Sequence, residues 1–179
     1  MKTKMLIFVF LLGITDLLAQ TLYVPGTIVK GKNASYYCSS ENEIFIKVNN
    51  VNNVDTTTTM YYDDGTVVPF DEGSAVIETK NEDLVRVFQE ALTQKEANIL
   101  KRKIIHLLIL NVVTDKQGNT LEITFSFRNN DPVMTKFTPD RFYQLEQELK
   151  KILRLDPNSL DKSIKNIKYI QAISYKDLK

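Results

Sequence analysis

The sequence predicts an α+β fold, in which two or three helices pack on a small antiparallel sheet and a β-rich extension precedes it. Residues 104–127 have the pattern of a β-hairpin, because mostly apolar residues lead through a turn with Gly118 into a strict alternation from Leu121 to Phe127. Residues 81–103 and 138–153 carry apolar side chains at helical spacing, whereas residues 20–79 contain short strand patterns separated by turns. These three observations define the predicted class.

The first 19 residues have the organisation of a secretory signal peptide. Lys2 and Lys4 precede ten apolar residues, too few to span a bilayer that requires about 20, and Ala19 offers a small residue for cleavage. We expect cleavage near Ala19, periplasmic or secreted location, and no stable membrane anchor afterwards. The alternative is an uncleaved signal anchor. Residues 20–179 are expected to form a single α+β domain, with a β-rich part at 20–79 and an αββαβ part at 80–179.

Composition and charge exclude few functions. The chain has 23 basic and 22 acidic side chains, and loss of residues 1–19 leaves 21 of each, so no nucleic-acid partner is indicated. Cys38 is the sole cysteine, which excludes an internal disulfide framework. We expect a buried thiol, with an intermolecular disulfide or a free reactive thiol as alternatives.

The N-terminal part is expected to contain short strands at residues 27–30, 35–38, 43–48 and 75–78. Asn49 to Thr59 is polar and without helical pattern, which predicts a long mobile loop. Asp63-Asp64-Gly65 between two strand-like segments predicts a tight hairpin turn.

The C-terminal part begins with helix signals. Asn81 is the expected N-cap of one helix, and Thr93 with Glu96 fits a capping box that begins a second. Thr138 followed by Pro139 predicts the start of a third helix.

In that third helix, Glu146 and Lys150 are expected to pair on the solvent side. A last strand is expected at residues 167–175. The first hairpin strand is apolar on both faces, so we expect residues 21–79 to cover the face that the helices leave open.

The hairpin from Leu110 to Phe125, with its Asp115-Lys116-Gln117-Gly118 turn, and the helix that contains Leu145 and Leu149 resemble the C-terminal domain of TonB-type periplasmic proteins. The resemblance covers about residues 81–175 and implies an αββαβ order. The chain lacks a lasting anchor and a proline-rich spanning linker, so the energy-transducing role is not implied. The whole chain also resembles small exported proteins of unknown function from gut bacteria, which implies a location without an activity.

No set of residues forms a recognisable catalytic motif. His106 is the sole histidine, which leaves no multi-histidine metal site, and it is expected to be a packed or edge-facing strand residue. Cys38, His106 and Asn111 have the chain order of some thiol proteases, but no local signature surrounds Cys38. Asp55-Thr56-Thr57 resembles an O-glycosylation site at Thr56 in some exported bacterial proteins.

Aromatic side chains near the N-terminal loops are the candidate ligand-binding residues, because tyrosine brings a large contact area at modest entropic cost. Packing in the core or on an edge strand is the alternative. They are Tyr36, Tyr37, Tyr61, Tyr62 and Phe70. Four acidic residues beside glycines are a weak calcium candidate, with turn formation as the alternative. They are Asp63, Asp64, Asp71 and Glu72.

The sequence therefore predicts an exported, non-catalytic binding module for an envelope protein or glycan, without a cofactor. The alternatives are a carboxylate-dependent hydrolase and an inhibitor of an envelope hydrolase. An exposed edge strand could accept a partner strand.

Overall fold

The structure is a computed structural model that describes residues 21–40, 42–55, 57, 59–69, 75–103 and 105–179. The predicted signal peptide, Thr56, Phe70, Asp71 and Glu72 lie outside the described residues. Among those described, no helix is long and apolar enough to cross a bilayer.

In the described residues, six strands and three α-helices make a strand-rich mix of the two element types. The strands are β1 (Ile28–Lys30), β2 (Ser35–Ser40), β3 (Phe45–Asn50), β4 (Leu107–Thr114), β5 (Thr120–Arg128) and β6 (Ile167–Ser174). The helices are α1 (Asn81–Glu90), α2 (Gln94–Lys101) and α3 (Pro139–Ile152), and two short 3₁₀ turns span Met134–Lys136 and Tyr175–Asp177.

All six strands join in one antiparallel sheet with the order β1-β2-β3-β5-β4-β6. The prediction of a small sheet preceded by a β-rich extension is wrong, because β1, β2 and β3 are half of this sheet. They join it where β3 pairs with β5, Val48 opposite Phe125. The order of helices and strands after residue 80 is as expected, but its three strands belong to a sheet of six.

The β4–β5 hairpin forms as its pattern predicts. Gly118 has a φ of +81°, and a Cβ at this position would lie 2.2 Å from the carbonyl oxygen of Leu155. The turn is tied by Asp115, whose carboxylate accepts from the backbone N–H groups of Gln117 and Asn119. Glycine is therefore required both for the turn and for close packing against residue 155.

One face of the sheet, here called the covered face, packs against the helices to form the main core. Phe142 of α3 lies at its centre, with five aromatic rings within 6 Å of its own ring centroid. These rings belong to Tyr23, Tyr36, Phe125, Phe127 and Phe137. Burial of this much aromatic surface stabilises the helix-on-sheet contact without a disulfide.

The helix starts follow local rules with one difference. The capping box of Thr93 and Glu96 is present, and Thr138 caps α3 with Pro139 in its first turn. Asn81 is the first helical residue and not the cap, since the N-cap position belongs to Lys80, which makes no side-chain cap bond.

Arg141 links the three helices. Its guanidinium donates to both carboxylate oxygens of Glu96 at 2.8 Å and to the carbonyl of Ala91, and it stacks 4.0 Å from the centroid of the Phe137 ring. These hydrogen bonds lower the pKa of Glu96 to about 2.

Residues 21–79 cover the second face of β4 only at one end, where Val113 is buried between Glu122 and Lys168. Leu108, Leu110 and Val112 are buried on the covered face, but Ile109 and Asn111 on the other face are only half-buried. The N-terminal strands lie beside the hairpin in the sheet and do not cover it.

Candidate functional site

The second face of the sheet, here called the open face, is formed by two rows of side chains across the strands. One row, from β1 to β6, is Ile28, Tyr37, Asn49, Thr124, Asn111 and Ile170. The neighbouring row, from β2 to β6, is Ser39, Lys47, Ser126, Ile109 and Ala172. No helix of the described residues packs on these rows.

The centre of the open face is polar and ordered by side-chain hydrogen bonds. Thr124 Oγ1 donates to Asn49 Oδ1 at 2.7 Å, and Asn53 Nδ2 donates to the same oxygen at 3.0 Å. Asn111 Nδ2 lies 3.4 Å from Ser126 Oγ. Amides and hydroxyls thus occupy the middle of the face, whereas its ends carry an aromatic ring and two exposed isoleucines.

One end of the open face is closed by the polar segment that follows β3. Glu122 of β5 accepts from the backbone N–H groups of Val54 and Asp55 at 2.8 and 3.0 Å. Lys168 of β6 donates to the Asp55 carboxylate at 2.6 Å and to the backbone carbonyl of Thr59. The prediction of a mobile loop is therefore wrong for the described residues of this segment, which are held to the sheet at several points.

Beside this segment lies a shallow half-open cleft of about 180 Å³, open solvent included. Its lining consists of Asp55, Thr59, Tyr61, Lys165, Asn166 and Lys168. Because Lys168 and Asp55 neutralise each other, the remaining polar side chains of the cleft supply a hydroxyl, a phenol, an amide and the Lys165 ammonium. The cleft is small enough that it suits one small polar group at most.

The structure separates the predicted aromatic residues. Tyr36 has no solvent exposure and belongs to the core, whereas its neighbour Tyr37 is 43% exposed on the open face. Tyr61 is 42% exposed in the cleft. Tyr62 is half-buried and packs against a small second core, most of whose side chains come from residues 155–167. Tyr36 therefore follows the alternative of core packing and offers no surface to a ligand, since successive strand residues point to opposite faces.

The two described acidic residues of the calcium candidate, Asp63 and Asp64, have structural contacts instead. Asp63 binds the Lys116 ammonium at 2.6 and 2.7 Å, and Asp64 accepts from the backbone N–H and hydroxyl of Thr66 within the predicted turn. In the part of the chain that the structure describes, no three His, Cys, Asp or Glu side chains converge as metal ligands. The turn itself is confirmed, with Gly65 at a φ of +87°, although single bridges replace the expected strands.

A buried carboxylate on the covered face escaped the sequence analysis. Glu146 has no solvent exposure, and its Oε2 accepts from Tyr36 Oη at 2.8 Å and from Asn50 Nδ2 at 3.1 Å. Lys150 pairs with Oε1 at 2.6 Å, so the predicted Glu146–Lys150 pair exists, but its acidic member is in the core. Burial, followed by the Glu146 charge, raises the pKa of Tyr36.

His106 and Asp131 form a second cluster of buried polar side chains. His106 Nδ1 lies 3.9 Å from Asp131 Oδ2, while Asp131 Oδ1 accepts from the backbone N–H groups of Val133 and Met134. The Tyr175 hydroxyl is buried beside the same Asp131 carboxylate. Burial lowers the pKa of His106, although the charge of Asp131 opposes this shift. The side chain is packed, as one of the two expectations has it, but His106 immediately precedes β4 and is not part of the strand.

The thiol-protease arrangement is contradicted by the geometry. Cys38 is fully buried on the covered face, where burial raises the pKa of its thiol to about 11. Asn111 lies on the open face, three strands or about 14 Å away across the sheet. These side chains cannot act on one substrate.

Asn111, Asn49 and Thr124 are the candidate residues that sequence reasoning missed. In the sequence they are visible as polar residues within strand patterns. Such a pattern indicates that a residue is exposed, but it does not show which residues of other strands lie beside it. The strand order supplies that information, because β3 pairs with β5 and not with β4.

Comparison with solved structures finds a DUF5043 family protein from Bacteroides uniformis with a TM-score of 0.69 and 19% sequence identity. The match covers 87% of this chain and 89% of that protein. No protein-family model matches the chain, and no curated protein matches it. The likeness shows a shared fold, and the neighbour's family is one of unknown function, which fits the expected resemblance to such proteins. None of the comparisons shows the resemblance to TonB-type domains.

Proposed function

We propose that the protein is an exported, non-catalytic binding module whose open face contacts a glycan or a protein of the bacterial envelope. The observation that carries this proposal is the row across the sheet in which polar Asn49, Thr124 and Asn111 lie between exposed Tyr37 and Ile170. Export is supported by the signal-peptide pattern of residues 1–19.

The chemistry of the row fits a glycan ligand. Side-chain amides and hydroxyls can donate to and accept from sugar hydroxyls, and an exposed tyrosine ring presents an apolar face with a polar tip. The hydrogen bonds of Thr124 and Asn53 to Asn49 hold these groups in place before a ligand arrives, which reduces the ordering cost of binding.

A protein ligand is the second candidate, and a different observation favours it. Ile28 and Ile170 are 53% and 66% exposed at the two ends of the same row. Exposed isoleucines on this face would add apolar contact area to a protein interface.

The non-catalytic part of the proposal is supported by the roles of the acidic residues. Glu122 accepts from two backbone N–H groups, and Asp55 accepts from Lys168. Asp63 binds Lys116, and Asp64 accepts from Thr66 within its turn. A glycoside hydrolase would instead need two carboxyl groups, roughly 5–9 Å apart, directed into a concave site.

The test is binding of the exported protein to an array of envelope glycans and to envelope proteins, repeated with Tyr37→Ala and Tyr61→Ala. The two tyrosines are a matched pair, since they are 43% and 42% exposed but lie on different surfaces. We expect Tyr37→Ala to weaken binding at least tenfold and Tyr61→Ala to leave it unchanged. Loss of binding by Tyr61→Ala alone would place the ligand in the cleft and contradict the proposal.

A further inference from the structure

The two edges of the sheet differ in how far they are protected. β1 forms one edge and has only three residues, preceded by Pro25 and Gly26. β6 forms the other edge and has eight residues, Ile167–Ser174. Short edges and prolines prevent strand addition, whereas a long edge presents unpaired main-chain groups.

The pairing of β6 with β4 determines which main-chain groups remain free. Thr114 Oγ1 donates to the carbonyl of Ile167, which therefore points towards β4, whereas the N–H of Lys168 points away and contacts Met60 Sδ. Consecutive residues in an antiparallel ladder direct these groups to alternate sides. Ile170, Ala172 and Ser174 thus present their N–H and C=O groups outward, where the described residues offer them no backbone partner.

The side chains of this edge do not oppose pairing. Residues 169–175 contain no charge and no proline, and Ile170 is 66% exposed. The nearest charge on the strand, Lys168, is neutralised by Asp55 at 2.6 Å. Natural edge strands are commonly protected by the very features that are absent here.

We propose that the free edge of β6 pairs antiparallel with β6 of a second copy of this chain. A two-fold axis at Ala172 would place Ile170 opposite the partner's Ser174, so that every outward N–H and C=O of the three residues finds a counterpart. Alanine at the axis allows the two backbones to approach closely. The free stretch is centred on Ala172, because Thr59 and Met60 contact Lys168 at the strand's beginning.

The proposed pairing would join the two sheets into one continuous sheet. A two-fold axis between antiparallel neighbours is perpendicular to the sheet, so both open faces would lie on the same side. The dimer would therefore present two copies of the polar row to one extended ligand, which raises the overall affinity through effective concentration.

The first experiment is sedimentation velocity on the exported protein, without any ligand, over a concentration series. We expect a shift from one copy to two as concentration rises, and we expect Ile170→Lys to abolish it. Ile28→Lys on the β1 edge is the matched control, since it places the same charge at a similarly exposed isoleucine and should leave the dimer intact. A wild-type protein that stays monomeric at every concentration overturns the proposal, even if the edge accepts a strand from another protein.

The second experiment tests the register by mild oxidation of two cysteine variants. Across the two-fold axis, the Cα atoms of the two Ala172 residues would be about 5.5 Å apart, within disulfide range. Ala172→Cys should therefore form a cross-linked dimer, whereas Ser174→Cys, whose counterpart is Ile170, should not. Equal cross-linking of both variants, or of neither, contradicts this pairing. Because no ligand is present, these results are independent of the glycan or protein proposed for the open face.

Discussion

Tyr36 and Tyr37 are consecutive residues of one strand, and they show how differently the two faces of this sheet are built. Tyr36 is enclosed among aromatic rings and binds a buried carboxylate, whereas Tyr37 is exposed at the end of a row whose middle polar side chains are buried or half-buried. The covered face derives its order from apolar packing, and the open face from side-chain hydrogen bonds near water. This difference predicts that substitutions on the covered face affect stability and those on the open face affect ligand binding.

The largest expected effect concerns the carboxylates of the two faces. Glu146→Ala should lower the free energy of unfolding by about 3 kcal/mol, since it leaves the Tyr36 hydroxyl and the Asn50 amide buried without an acceptor. Glu122→Ala on the open face should cost about 1 kcal/mol, because water can reach the N–H groups of Val54 and Asp55 that it releases. Urea denaturation of both variants measures the difference, and equal losses would contradict the contrast between the faces.

A smaller effect is expected from pH. The pKa of His106 is lowered in the folded protein by burial, although Asp131 opposes this shift and Arg128 and Lys103 add to it. The unfolded chain therefore binds more protons, and stability should fall as the pH drops from about 6.5 towards the lower folded pKa. His106 is the sole histidine, so His106→Gln should remove most of the slope between pH 7 and pH 5.

Thermal unfolding at a series of pH values measures that slope. The carboxylates with lowered pKa, among them Glu96, contribute only at more acidic pH, so the two effects are separable. An unchanged slope in His106→Gln would show that the buried His106–Asp131 contact does not control the pH response.

Local signals in the sequence were sufficient for much of the fold. The Gly118 turn, the Thr93–Glu96 capping box and the Thr138–Pro139 helix start are formed by residues close in sequence, and each is confirmed. The predictions that were wrong concern contacts between residues far apart in the sequence. The sheet is larger than predicted because β3 joins β5, a contact between residues about 80 positions apart for which no short motif exists.

The candidate site was harder to predict for the same reason. Alternation shows that Tyr36 and Tyr37 face opposite ways, but it does not show which of them faces the helices. The prediction that Glu146 faces solvent was wrong, because its neighbours Tyr36 and Asn50 come from strands about 100 residues earlier in the chain. Only the assembled sheet brings Asn49, Thr124 and Asn111 into one row.

The most direct test of the central claim is to block the open face and measure ligand binding. Asn111→Arg places a long charged side chain at the middle of the polar row, and Gln144→Arg places the same group on the exposed side of α3. Binding to the glycan or protein found with the wild-type chain should be lost in Asn111→Arg and retained in Gln144→Arg, with both proteins folded by circular dichroism. Retained binding in Asn111→Arg would contradict the assignment of the open face as the ligand-binding surface.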